Sequence, residues 1–96
     1  QQGNPSQPNF VIPSNITNEQ LQIATDFINF CNQSQSTAIQ TLGSYVNSAK
    51  DAINQNNQGL YASSEIQYDS LFDQLLSSEL AEIENWIINY AQNYNN

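Results

Sequence analysis

Two apolar stripes at helical spacing, separated by the segment NQNNQG, constrain the fold of this chain more than any other feature. In the first, Leu21, Ala24, Ile28 and Cys31 follow at steps of three and four, with Ile23, Phe27 and Phe30 widening the face. After a polar interval the same phase resumes at Ala38, Leu42, Tyr45, Ala49 and Ala52, with only Gln35 at an inward position. In the second, Tyr68, Phe72, Leu76, Leu80, Ile83, Ile87, Tyr90 and Tyr94 repeat the pattern. Steps of three and four place side chains on one face of an α-helix, so the chain reads as all-α.

Local signals divide the stripes. Thr17 and Gln20 form a capping box, and Ile16 is placed to pack on Leu21 as a hydrophobic staple, which starts the first helix. The interval from Asn32 to Thr37 leaves two readings: one helix over about residues 18 to 54, or two helices meeting near Ser34 to Ser36. Gly59 reads as a helix stop and Ser64, with Gln67 three residues on, as the next start. A joint is expected at Ser77 and Ser78, with Ser78 capping a helix ahead of Glu79. The expected architecture is a small bundle of about four helices or a long helical hairpin, with an extended N-terminal arm. The bundle is favoured, because two helices alone bury too little surface per residue to stand as a monomer.

Residues 1–13, QQGNPSQPNFVIP, hold all three prolines and no helical period, so an extended arm or a disordered tail is expected there, with residues 14–96 as a single helical domain. Phe10, Val11 and Ile12 are an apolar triplet within the arm, placed either to pack back on the domain or to dock on a neighbouring molecule.

Charge then prunes function. Of 96 residues nine are Asp or Glu, and Lys50 is the lone cation, giving a net charge of −8 with no Arg or His. Nucleic acids and anionic membranes are recognised through Lys and Arg, and nucleotide sites nearly always add them, so these partners are not expected. Without imidazole or guanidinium, proton shuttling near neutral pH and oxyanion clamping lose their usual groups, and no enzyme is expected. One Cys and no His cannot close a structural zinc site, and neither metal nor cofactor is expected. Cys31 lacks an intramolecular disulfide partner; amid Phe27, Ile28 and Phe30 it reads as a buried apolar thiol.

The polar positions are mostly amides: 28 of the 96 residues are Asn or Gln, spread along the chain. No run is long and apolar enough for a transmembrane helix, and the chain opens on Gln1 rather than Met, as after removal of a secretory signal. Asn15-Ile16-Thr17 and Asn32-Gln33-Ser34 are acceptor patterns for N-glycosylation. An extracellular location is therefore expected.

Three groups of residues are candidates for a role. Glu65, Asp69 and Asp73 share a helix face, followed by Glu79, Glu82 and Glu84, and read as a solvated acidic surface rather than a calcium or glycosidase site. Glu65 and Glu79 are expected near the positive ends of their helices. Trp86, Tyr90 and Tyr94, with Tyr61, read either as core anchors or as an aromatic patch for self-association with Phe10, Val11 and Ile12. Phe27, Phe30, Phe72, Leu76, Ile83 and Trp86 have the chemistry to line an apolar cavity.

The function expected from these features is that of a non-enzymatic secreted helical protein, a structural or self-associating subunit of an extracellular fibre, matrix or coat. The alternatives are a small helical carrier of an apolar ligand such as a fatty acid, or a secreted effector that binds another protein. Expected partners are copies of the chain or another extracellular protein, with no nucleic acid and no membrane span.

Overall fold

The computed structural model describes residues 10–94. Four helices follow one another, α1 (Asn18–Gln33), α2 (Thr37–Gln55), α3 (Gln58–Phe72) and α4 (Ser77–Tyr94), and there is no strand among the described residues. The bundle expectation holds, and the first stripe is two helices. Residues 10–17 lead into α1 without regular structure, in keeping with an extended arm; the part of the expected arm before residue 10 lies outside the described residues.

The start of α1 follows its sequence signal. Thr17 Oγ1 accepts the Gln20 N–H at 3.1 Å, and Gln20 Oε1 accepts the Thr17 N–H at 2.9 Å, so two orphan donors of the first turn are satisfied reciprocally. Ile16 and Leu21, the expected staple, border the same groove. The chain leaves α1 at Ser34, and Ser36 caps α2 by accepting the Ile39 N–H.

The later boundaries correct the sequence reading. The helix expected from Ser64 starts at Gln58, capped by the side chain of Asn57, which accepts the Leu60 N–H at 3.1 Å. Gly59 lies inside the first turn of α3, while Asn56 closes α2 in the left-handed region, at φ 53°. Asparagine tolerates that conformation better than other side-chain-bearing residues, so a pair of asparagines performs the stop and the start that were read into Gly59 and Ser64. Ser64 is instead buried within α3, and Glu65 lies in the middle of that helix, away from its positive end. Likewise α4 begins one residue before the expected cap Ser78, and Glu79 accepts the Leu76 N–H at 2.8 Å.

The close helix contacts are α1 with α2 and α2 with α3; α4 lies farther off. Small residues make this approach feasible: Gly43, Ala49 and Ala52 are the buried points of α2 besides Ile39 and Leu42. The tightest is Gly43, where an added Cβ would stand 2.6 Å from Cys31 Cβ on α1. One core cluster joins Cys31, Ile39, Leu42, Leu75 and Ile83, drawing in Phe27 and Phe30 from α1. A second joins Ala49, Ala52 and Tyr61, against which Phe10 and Ile12 of the arm pack. The Gln58 side chain brackets that arm, accepting the Ile12 N–H at 2.9 Å and donating to the Phe10 carbonyl. Val11, between them, points to solvent.

The Cα extents are 46 × 31 × 19 Å, so few side chains are far from the surface, and the largest fully buried ones are Ile39, Leu42 and Cys31. A Gly43→Ala variant is expected to lose up to about 2 kcal/mol of stability, because overpacking of about 1–3 kcal/mol offsets or outweighs the ~1 kcal/mol helix-propensity gain of alanine. Urea unfolding followed by Trp86 emission measures the difference; a more stable variant would mean that α1 and α2 part without cost at this contact.

Candidate functional site

The fourth helix is placed by polar groups at one end and by aromatic rings along its length. At the α1–α2 corner, Ser34 Oγ donates to Glu82 Oε2 at 2.8 Å, and Ser36 Oγ donates to Glu79 Oε2. Ser34 Oγ also accepts the Ser36 N–H at 3.1 Å, and its carbonyl accepts from Gln40 Nε2 at 2.7 Å. Glu79 thus binds two helix starts at once, the Leu76 N–H of α4 through one oxygen and the capping hydroxyl of α2 through the other. These donors, Ser36 first and Leu76 second, hold the Glu79 carboxyl below the usual glutamate range.

Beyond the corner the spacing between α4 and α1 is filled by rings. Trp86 lies 5.3 Å from Phe30, near-parallel, and 5.4 Å from Phe27, tilted at 60°. Tyr90 stacks on Trp86 at 4.8 Å, and Tyr94 follows Tyr90 at 6.0 Å. Steps of four along α4 bring these three onto one ridge, in the offset and tilted geometries that aromatic pairs favour. Tyr90 Oη donates to Asp26 Oδ2 on α1 at 2.6 Å, a bond that raises the phenol pKa above its ordinary value. The far end of α4 is therefore fastened to α1 as well.

Next to the ridge runs a flank that no other described residue covers. Leu80, Ile87, Ala91 and Tyr94 fall within a narrow arc of α4, with Leu76 just ahead of its first turn, adjacent to the arc that carries Ile83 and Trp86. Leu76 is 65% exposed, Ile87 52% and Tyr94 50%, and Ile88 and Ile23 extend the apolar surface to either side. A shallow groove of about 380 Å³ lies over Ile23, Trp86, Ile87, Tyr90, Ala91 and Tyr94. Its polar atoms are few, and its available chemistry is contact with another apolar surface.

The residues named from the sequence are distributed as follows. Phe27, Phe30 and Trp86 are in ring contact with one another, Ile83 is buried beneath them, and Phe72 borders a different groove shared with Ile83 and Leu80. Leu76 stands at the surface, so the six residues expected around an apolar cavity are not brought round one space. Tyr61 belongs to the second core cluster, away from the ridge. Asn15 and Asn32 are both exposed. Cys31 is buried, and burial, with the nearby Glu82 charge adding, pushes its thiol up to about 12.

Asp69 and Asp73 are exposed, whereas Glu65 turns partly inward, and no three metal-ligating side chains converge among the described residues. No helix among them is long and apolar enough to cross a membrane.

Sequence reasoning missed a second groove, of about 620 Å³, between the arm segment 13–16 and helices α1, α2 and α3. Its residues are scattered over four segments, and the single signal pointing to it is the lone cation, Lys50, on its rim. No family model matches the chain, and neither curated proteins nor solved structures give a significant match.

Because the Glu79 pKa is lowered in the fold, the stability it contributes is present above the ordinary glutamate value, ~4.3, and is lost as pH falls through its lower folded value. The unfolding midpoints of wild type and Glu79→Gln are therefore expected to differ at pH 7 and to converge toward pH 3. A gap that stays constant with pH would show that the negative charge of Glu79 is not what joins the two helix starts.

Proposed function

We propose that this protein is a non-enzymatic, self-associating helical subunit of an extracellular assembly, and that copies meet through the apolar flank of α4. The observation that carries this is the exposure of Ile87, Ile88 and Tyr94 along α4, and of Leu76 just ahead of it, in a small chain whose own core is thin. Contiguous apolar surface of this kind marks interaction sites, and Tyr supplies contact area at low conformational cost. The remaining surface supports the same reading. Amides stay hydrated without placing like charges against each other when copies pack closely, and 28 of the 96 residues are Asn or Gln.

Phe10 and Ile12, expected to dock on a neighbour or on the domain itself, are engaged with Ala49, Ala52 and Tyr61 of their own chain. Of the apolar triplet, Val11 alone is left for a partner, which is why α4 rather than the arm is assigned the contact.

A net charge of −8 opposes association, so the copies are expected to assemble where acid or divalent cations reduce repulsion. Glu84 lines a groove with Leu80 and Ile87 at the edge of the flank. Light scattering near pH 4.5, or with added calcium at pH 7, is expected to show species larger than the 10.8 kDa chain. Ile87→Glu should hold the protein monomeric under both conditions while leaving its helical content intact. A wild-type monomer throughout would remove the proposal.

A further inference from the structure

The groove beneath the arm combines apolar walls with the lone cationic side chain of the sequence. Its walls are Leu21 from α1, Val46 and Ile53 from α2 and Tyr61 from α3, closed at one side by residues 13–16 of the arm. Its volume, about 620 Å³, falls in the ~300–1,000 Å³ range of small-molecule sites. Lys50, the only cation of the chain, is one of its lining residues. We infer that this groove is a binding site for a single-chain amphiphile with an anionic head group, its hydrocarbon tail along Leu21, Val46 and Ile53 and its carboxylate on Lys50.

The choice of head group follows from the charge distribution. A cationic amphiphile finds nine carboxylates spread over the protein, whereas an anionic one has a single cationic side chain to pair with, Lys50, and it lines this groove. The one acidic group in the groove, Glu65, is partly withdrawn from water; burial raises its pKa, Asp69 adds to the rise, and the Tyr61 hydroxyl opposes it. The tail gains by the ordinary transfer of apolar surface out of water, and the arm that closes one side is fixed by the paired hydrogen bonds of Gln58. No residue of α4 borders the groove, so this site and the association flank stand or fall separately.

Calorimetric titration with dodecanoate, dodecanol and dodecylamine, each below its micelle concentration, tests the assignment. The expected result is saturable binding of one dodecanoate per chain, about tenfold weaker in Lys50→Gln, with dodecanol bound equally by both proteins. Val46→Gln should weaken dodecanoate and dodecanol together. Dodecylamine binding more tightly than dodecanoate, or dodecanoate binding unchanged by Lys50→Gln, would overturn the head-group assignment. Absence of saturable binding up to several hundred micromolar would overturn the site. Affinity that falls as protein concentration rises would assign the groove to a second copy of the chain instead.

Discussion

The structure depends on the way two serines share two carboxylates at the corner between α1 and α2. Ser34 and Ser36 end one helix and begin the next, work that Ser performs readily because its short hydroxyl reaches nearby backbone donors. Having done so, each hydroxyl still carries a proton to give, and Glu82 and Glu79 of α4 receive them. The turn and the docking of the last helix are therefore one hydrogen-bonded unit. Few alternatives exist for this chain. With no Arg and one Lys, its carboxylates find most of their donors among hydroxyls and backbone N–H groups.

This also accounts for the looseness of α4. Helices α1, α2 and α3 approach through glycine, alanine and serine, which leaves little room between backbones. The contact of α4 is made instead by Trp86, Tyr90 and Ile83, whose length sets a wider spacing. A helix held at its start by carboxylates and along its length by rings has only part of its apolar arc under cover. The uncovered part is the flank, so its exposure follows from how α4 is attached.

The first stripe was legible because α1 and α2 keep nearly the same phase across their joint. Cys31, Leu42, Ala49 and Ala52 are buried as the spacing implies, and Ile39, one residue off that row, is fully buried beside the partly buried Ala38. The second stripe was legible as helix and misleading as a face. The turn over residues 73–76 resets the phase, so Leu75 goes inward and Leu76 outward, and a single inward row from Tyr68 to Tyr94 becomes two different rows. The α2–α3 joint was located and its caps were mistaken: two asparagines in a run of amides carry the signal, and such runs offer many equal candidates. The groove under the arm was hidden for another reason. Concavity arises from how four segments meet, which no periodicity records.

The burial of Cys31 beside Gly43 has a consequence for the reactivity of its thiol. A thiol with a pKa of about 12 is ionised in roughly one molecule in a hundred thousand at neutral pH, and thiolate is the form that attacks disulfides and oxidants. In an oxidising medium an exposed lone cysteine would lock chance encounters into permanent cross-links. Enclosed between two helices that cannot part without breaking the core, this one is kept out of reach of such cross-linking.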